Sequence, residues 1–578
     1  MDNLYEKLSY KRKQLQADGL APEWMSTASY QLLFNQNYLN TAETPRDMYH
    51  RIAQRAAELT PFAIPSYFGY ASWYDAFFDV MWNGWLSPST PVLTNMGNNR
   101  GHPIACSGTY LGDSIRSFYQ ARMEIAQLTQ RGYGTSWGLD PVRARGSAVS
   151  KGGTANGIMQ PAAGVVQDMK DVSQNSRRGS VGQYLDVMHP DFDELVDQLI
   201  ADHDGWNVGW NLTDEYKELF NRDPQEADRI WKRILKARLT PGKGYMHFVD
   251  KVNRARPQMY KDRGFYVRHS NLCQEIALMS DEEHSFTCVL SSVNVSKYDE
   301  WKDTNLIQLA TIFLDAVISD MLIKAKQEVG FERIIAFTEK SRALGLGVLG
   351  LSTYYQQNSW VFGDLNSIML NQRIMREMDR ESLVASKLLA KELGEPEWLV
   401  GYGTRNSHRL ALPPTKSTAI IIGGVSDGIM PVYANVYEQD TAGGLVYRIN
   451  PVLLPIMKER GKYTEEVMAR ISQAQGSVQG EDWLTDHEKL VFKTAYELNQ
   501  ETVLLMASHR QKIMNDGGGG QGQSINLYFP MEATEEDISR IHNIAFENEY
   551  IQGLYYVHSL NEPSTYKVDR SACVACEG

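Results

Sequence analysis

The chain has 578 residues, a formal net charge of −12 and a pI near 5.6. An acidic balance of this kind argues against a nucleic-acid-binding face, which needs a basic excess to displace counterions from phosphates. Hydrophobic content of 43% with 22% charged residues is that of a globular protein with ample core material, and no linker divides it into separate domains.

Residues 1–84 are rich in charge, aromatics and helix formers, with Ile52, Ala56, Ala57 and Leu59 clustered, and predict a helical lead-in. The start, Met1-Asp2-Asn3-Leu4, lacks the basic-then-apolar order of a secretion signal. The most apolar helical stretch, 306–323, is interrupted by Asp315 and Asp320, so a cytoplasmic protein without a membrane span is expected. From Ser87 to Val557, β-like runs alternate with longer helical patterns: Pro91-Val92-Leu93, then 345–351, Asn526-Leu527-Tyr528-Phe529 and Leu554-Tyr555-Tyr556-Val557. That alternation predicts an α/β core with a largely parallel sheet.

Within it, Gly345-Leu346-Gly347-Val348-Leu349-Gly350 fits GxGxxG. A dinucleotide fingerprint follows a strand and opens a helix, whereas here a helical, charged stretch precedes and β-like residues follow. Close packing on a strand or turn is therefore the expected cause. Pro413-Pro414-Thr415-Lys416-Ser417-Thr418 offers hydroxyls and an ammonium suited to a phosphate at a helix N-terminus, while Ile420-Ile421-Ile422 favours a strand; both readings stay open. Asp113 and the Gly/Ser/Arg-rich stretches 143–157 and 173–182 have the composition of ligand-gripping loops or of ordinary surface loops. The Gly517-Gly518-Gly519-Gly520 run reads as a flexible loop. Thr534 with Asp537 forms a capping box before the stripe Ile538, Ile541 and Ala545, a helix that feeds the Leu554 strand. Residues 559–578 carry no periodicity and predict a mobile tail.

Five cysteines carry the chemical signal. Cys106 and Cys288 are isolated, Cys273 lies in Asn271-Leu272-Cys273-Gln274-Glu275, and Cys573 and Cys576 form a terminal CxxC. So few cysteines do not staple a fold, and thiol chemistry is the better reading. In an extended segment Asn271, Cys273 and Glu275 would share one face, bringing an amide, a thiol and a carboxylate base together; a buried structural cysteine is the alternative. A CxxC on a flexible arm suits thiol–disulfide exchange with an inner dithiol, for which Cys106 and Cys288 are candidates besides Cys273, though each could be a small core residue. Zinc at the CxxC would need two further ligands, and no second CxxC or close His pair supplies them. Tyr555-Tyr556 reads as strand aromatics, or as a relay if the chemistry is radical.

Together these positions resemble the catalytic large subunit of a class I ribonucleotide reductase, in a compact form lacking the N-terminal ATP-cone. The likeness runs from about Trp85 to the end and includes Ser87-Pro88-Ser89-Thr90-Pro91-Val92-Leu93-Thr94-Asn95, the Cys106 and Cys288 segments, 271–278, Gly423-Gly424-Val425-Ser426-Asp427-Gly428-Ile429, the tyrosine pair and the CxxC. It implies a helical segment (1–84), a ten-stranded α/β barrel with an interior finger loop (85–558) and a redox-active tail (559–578). The implied enzyme is a ribonucleoside-diphosphate reductase. Cys273 would carry a thiyl radical that takes the 3′ hydrogen, Glu275 would act as base on the 3′ hydroxyl, and Asn271 would bind the sugar. Cys106 and Cys288 would protonate the leaving 2′ hydroxyl and supply two electrons, and Cys573 and Cys576 would re-reduce them from thioredoxin or glutaredoxin.

The same likeness gives Tyr555 and Tyr556 the passage of the radical from a metal cofactor in a separate small (beta) subunit, with no cofactor covalently bound here. Thr90, Thr415, Lys416, Ser417 and Thr418 would contact substrate, chiefly its phosphates. Asp113 and Arg143 would hold a deoxynucleoside triphosphate or ATP specificity effector at a homodimer interface. Three features depart from the pattern: the ATP-cone signature is missing, so dATP inhibition through it is not expected; Ala105 stands where many relatives have serine; and Lys416 lies in a segment often acidic or small. The alternatives are an adenosylcobalamin-dependent class II reductase, a nucleotide-binding regulatory protein on the same fold, and a zinc-bearing structural protein.

Overall fold

The structure is a computed structural model that describes residues 4–560 apart from 151, 175–176, 204, 241 and 442–443. Of the expected mobile tail (559–578), Ser559 closes a strand, and residues 561–578 with the CxxC, Cys573 and Cys576, lie outside the described residues.

The helical lead-in is present as Leu4–Ala17, Thr27–Asn35, Pro45–Glu58 and Trp73–Trp82. Ser26 and Thr44 each close a capping box, and Pro45 starts its helix where no N–H partner is needed. The last two helices pack on the core helix Leu306–Ala325, with Phe77 edge-on to Phe313 at 5.6 Å, while Thr27–Asn35 packs on the helix Lys416–Ile421. That core helix is long and apolar enough to cross a membrane, yet it is almost wholly buried in protein. Its two acids are paired: Asp315 with Arg342 at 2.8 Å and Arg405 at 3.1 Å, and Asp320 with Arg55 at 2.7 Å and Lys324 at 3.0 Å. The pairs offset the desolvation that unpaired charges would suffer.

Ten strand positions carry the rest. They are β1 (Cys106–Gly108), β2 (Thr135–Gly138), β3 (Val181–Asp186), β4 (Asn207–Asn211), β5 (Tyr245–His247), β6 (Phe286–Asn294), β7 (Leu344–Leu349), β8 (Leu410–Leu412), β9 (Gly520–Gln523, resumed at Leu527–Phe529) and β10 (Gly553–Leu554, resumed at Val557–Ser559). β1 to β5 are parallel neighbours, β1 joining β2 through single bridges at Cys106/Gly134 and Thr109/Trp137. β6 to β10 are parallel neighbours in the same way. The halves meet antiparallel at two seams, β1 against β6 and β5 against β10, and the pairings close an α/β barrel. Strands such as β7 are buried along their whole length, which is why they read as continuous apolar runs rather than alternation.

Several local expectations are corrected. Pro91-Val92-Leu93 is not a strand: it lies in the helix Thr90–Asn95, because proline fits the first turn of a helix and cannot donate to a ladder. Of the two readings left open at 413–422, the helix holds: Ile420-Ile421-Ile422 falls in and just after the helix Lys416–Ile421, where burial overrides β-propensity. The strand at 554–557 is broken at Tyr555-Tyr556. The 517–520 run is a packed turn rather than a loose loop: a Cβ on Gly517 would lie 2.1 Å from the Asp379 carboxylate, and one on Gly519 2.3 Å from the Arg409 guanidinium. The helix Glu535–Glu547 has its capping box from Thr534 and Asp537, and leads into β10 as expected.

The GxGxxG segment is strand β7, and its glycines serve packing. A Cβ on Gly345 would lie 2.4 Å from Leu290 Cδ2 and 3.0 Å from Cys288 Sγ. One on Gly347 would lie 2.6 Å from Pro413 Cδ and 2.7 Å from the Ala411 carbonyl oxygen, neither of which can move aside. Gly347→Ala is therefore expected to destabilise the fold by about 1–3 kcal/mol, the usual range for overpacking a tight core. Urea denaturation measures it, and an unchanged midpoint would remove the packing explanation.

Candidate functional site

The segment 271–278 lies between β5 and β6 and threads between the halves of the barrel. It is not extended, as the alternation argument expected, but turns at 272–274, and Gln274 takes a left-handed φ of 72°. Asn271 makes the turn possible. Its Oδ1 accepts the backbone N–H groups of Glu275 at 3.1 Å and Ile276 at 3.2 Å, satisfying donors the turn would otherwise leave unpaired. Its Nδ2 points the other way, 3.1 Å from Cys106 Sγ.

Further contacts fix the loop in the barrel. The Tyr184 hydroxyl on β3 donates to the Asn271 carbonyl at 2.5 Å and accepts from Gln274 Nε2 at 3.1 Å. Gly522 on β9 donates its N–H to the Glu275 carbonyl at 2.7 Å, and a Cβ there would lie 3.1 Å from the Gln274 carbonyl oxygen. Glycine at 522 permits that approach. Ser524 Oγ reaches both the Cys273 carbonyl at 2.5 Å and Glu275 Oε2 at 3.2 Å.

The three described cysteines, Cys106, Cys273 and Cys288, are buried. Cys106 and Cys288 face each other directly across the β1/β6 seam. Cys106 Sγ lies 3.7 Å from Glu275 Oε1, and Cys288 Sγ accepts from Gln521 Nε2 at 3.4 Å. Burial pushes the Glu275 carboxyl up to about 7, against hydrogen bonds from Asn271, its own backbone N–H, Ser524 and Cys106 that favour the charged form. Burial likewise pushes the Cys288 thiol up to about 12, with the nearby Glu275 charge acting in the same direction, so it stays protonated at neutral pH.

Cys273 faces the opposite seam. Its Sγ lies 3.5 Å from the Tyr555 hydroxyl, and the Tyr555 and Tyr556 rings are 4.2 Å apart between centroids. The backbone of the pair is pinned to β9: Tyr555 N–H donates to Ile525 O at 2.7 Å, and Tyr556 O accepts from Leu527 N–H at 3.0 Å. Tyr245, Leu272, Cys273, Tyr555 and Tyr556 form one buried apolar cluster.

The substrate-segment residues lie around this centre. Thr90 is buried at the head of its helix, just after a short strand, Leu86–Pro88, paired with β6. Thr415 has a left-handed φ of 56°, and its hydroxyl accepts the Gly428 N–H at 2.7 Å, tying 415–418 to the 423–429 segment. Ser417 and Thr418 are buried, while half-buried Lys416 places Nζ 5.7 Å from the centre of the Tyr556 ring. The neighbouring Asp427 carboxyl is pushed up to about 7 by burial, partly countered by Lys416. Asp113 and Arg143 are brought together away from the buried thiols, in a surface ion pair of 2.6 Å, and Arg143 also donates to the Ala148 carbonyl at 3.1 Å.

Sequence reasoning missed Tyr184, Tyr245, Gln521 and Ser524. The run Gly520-Gln521-Gly522-Gln523-Ser524 did carry a signal: polar and glycine residues alternating where an apolar strand would be expected.

Comparison with known proteins agrees with this architecture. The family model described as "Ribonucleotide reductase, barrel domain" matches residues 104–204, 198–399 and 396–557, and "Ribonucleotide reductase, all-alpha domain" matches 25–101. A putative ribonucleoside-diphosphate reductase large subunit of Frog virus 3 is 31% identical over 86% of this chain and 92% of its own length. The ribonucleoside-diphosphate reductase large subunit of Invertebrate iridescent virus 3 is 28% identical over 87% of this chain and 91% of its own. The solved class Id ribonucleotide reductase alpha subunit of Actinobacillus ureae has a TM-score of 0.84 at 33% identity, covering 93% of this chain and 98% of that one. With the barrel, its interior loop and the family match over most of its length, the chain belongs to the ribonucleotide reductase family, as a large subunit.

Proposed function

We propose that this large subunit reduces ribonucleoside diphosphates by a thiyl-radical route of the class I type. The observation that carries the reading is the convergence of Cys106, Cys288, Asn271 and Glu275 on one side of the 271–278 loop, with Cys273 against Tyr555 on the other. The names of the viral relatives support diphosphates as substrates.

On this reading a radical reaches Cys273 through Tyr556 and Tyr555, and Cys273 takes the 3′ hydrogen of the sugar. Glu275, poised near neutrality by burial, accepts the 3′ hydroxyl proton. Asn271 orients the sugar and the Cys106 thiol together. The pair Cys106 and Cys288 delivers two electrons and two protons as it forms a disulfide: one proton lets the 2′ hydroxyl leave as water, the other ends in the new C2′–H bond, and Cys273 returns the hydrogen to C3′. Per turnover one ribonucleotide and two thiols become one deoxyribonucleotide, one disulfide and one water. Cys573 and Cys576 then re-reduce the pair, drawing on thioredoxin or glutaredoxin.

The partners follow from the same reading. A separate small subunit generates the radical with its metal cofactor, the large subunit works as a homodimer in the cytoplasm, and a deoxynucleoside triphosphate or ATP effector binds by Asp113 and Arg143. Thr90 and 415–418 face the substrate phosphates. The Tyr556–Tyr555–Cys273 succession favours class I over an adenosylcobalamin-dependent mechanism, which creates its radical beside the cysteine and needs no relay.

With the small subunit, a ribonucleoside diphosphate and an effector, Cys273→Ser is expected to make no deoxynucleotide while effector affinity is unchanged. Product from that variant would overturn the thiyl reading, and turnover by the isolated chain with adenosylcobalamin would reassign it to class II. Facing residues of an antiparallel pair have Cα atoms about 4.5–5.5 Å apart, within the range a disulfide spans. A Cys573→Ser/Cys576→Ser variant should therefore complete a single turnover and stop with Cys106 and Cys288 linked, as read by peptide mass spectrometry; a link involving Cys273 would refute the assignment. Because Glu275 must be ionised to accept a proton, kcat/KM should rise with pH through about 7. Glu275→Gln should lose that limb and about 10²–10⁴ of the rate.

A further inference from the structure

The relay cluster holds three phenols rather than two. Tyr245 ends no loop and faces no solvent: it is the first residue of β5 and fully buried. The β5/β10 register pairs His247 with Gly553 and Met246 with Leu554, and one step further along it Tyr245 meets Tyr555. Its ring centre is 4.8 Å from that of Tyr555 at 42°, and 5.4 Å from that of Tyr556, edge to face at 88°. It therefore touches both members of a pair whose own separation is 4.2 Å. Leu272 and Cys273 complete the same apolar cluster.

Resting on the radical reading above, we propose that Tyr245 is a third redox-active tyrosine, giving the radical a second route from Tyr556 to Tyr555. The three side chains are chemically identical phenols in one dry environment, so no difference in side-chain type bars the unpaired electron from the third ring. The transfer balances as a hydrogen-atom exchange: the Tyr245 O–H bond breaks as the O–H bond of Tyr556 re-forms, and the reverse exchange with Tyr555 restores Tyr245. No outside oxidant or reductant is consumed. Its placement is set by the fold, since the β5/β10 seam puts position 245 opposite position 555.

The test inserts 3-aminotyrosine, a nearly isosteric and more easily oxidised phenol, separately at positions 245, 555 and 556 of the full chain. Each protein is mixed with the small subunit, cytidine diphosphate and ATP, and read by electron paramagnetic resonance. An aminotyrosyl radical at 245 that disappears when Tyr556→Phe is added supports the proposal. Signals at 555 and 556 with none at 245 overturn it and leave the relay reading standing. No signal at any of the three positions overturns both. Tyr245→Phe, which keeps the ring and its packing, is expected to lower kcat with KM unchanged, because only radical passage loses a partner; an unchanged kcat counts against the second route.

Discussion

The side chain of Asn271 is the constraint on which the site depends. A five-residue turn inside a barrel has backbone donors that no sheet satisfies, and leaving them unpaired in a dry interior costs about 1–3 kcal/mol each. Asn271 satisfies two with its oxygen while its nitrogen holds Cys106 Sγ. The same amide thus shapes the loop that presents Cys273 and joins it to the thiol on β1. Conversion to aspartate would keep the acceptor and lose the donor, separating the two tasks that one side chain now combines.

The barrel gives these contacts a direction. The two parallel halves run in opposite directions and so meet at two antiparallel seams, and each seam carries one set of candidate redox groups. At β1/β6 the cysteines face each other, and at β5/β10 the tyrosine rings cluster in tilted and edge-on contacts. The 271–278 loop lies between, bonded to β1 by Asn271, to β3 through Tyr184 and to β9 through Gly522 and Ser524. One residue within the turn, Cys273, can then face the tyrosine seam while Asn271 and Glu275 face the cysteine seam. A left-handed Gln274 reverses the chain between them.

What the sequence made legible follows from where the information lies. Rare residue types in short motifs identified the cysteines, the 271–275 pentapeptide and the tyrosine pair, and the Thr534 capping box located its helix because capping is a local interaction. Short segments whose conformation is set by distant packing were not legible. Gly517 and Gly519 look flexible until Asp379 and Arg409 are seen to fill the space a side chain would need. Tyr245 was invisible for the same reason: Tyr245-Met246-His247 is an ordinary strand fragment, and its meaning comes from a register formed with residues some three hundred positions later.

Burial also sets the protonation of the site in a way that suits one order of events. Glu275 and Cys288 share a dry environment that favours their neutral forms, the acid titrating near 7 and the thiol near 12. A thiolate beside a carboxylate in that environment would bring two like charges together without solvent, so the Cys288 thiol keeps its proton when Glu275 ionises. On the proposed route, proton loss from the Cys288 thiol then accompanies electron loss as the 2′ hydroxyl departs. The same exclusion of water protects a reactive sulfur at 273 from side reactions. A more hydrated site would ionise Glu275 more readily and, on the proposed route, shield a thiyl radical less, and the dry barrel interior favours protection.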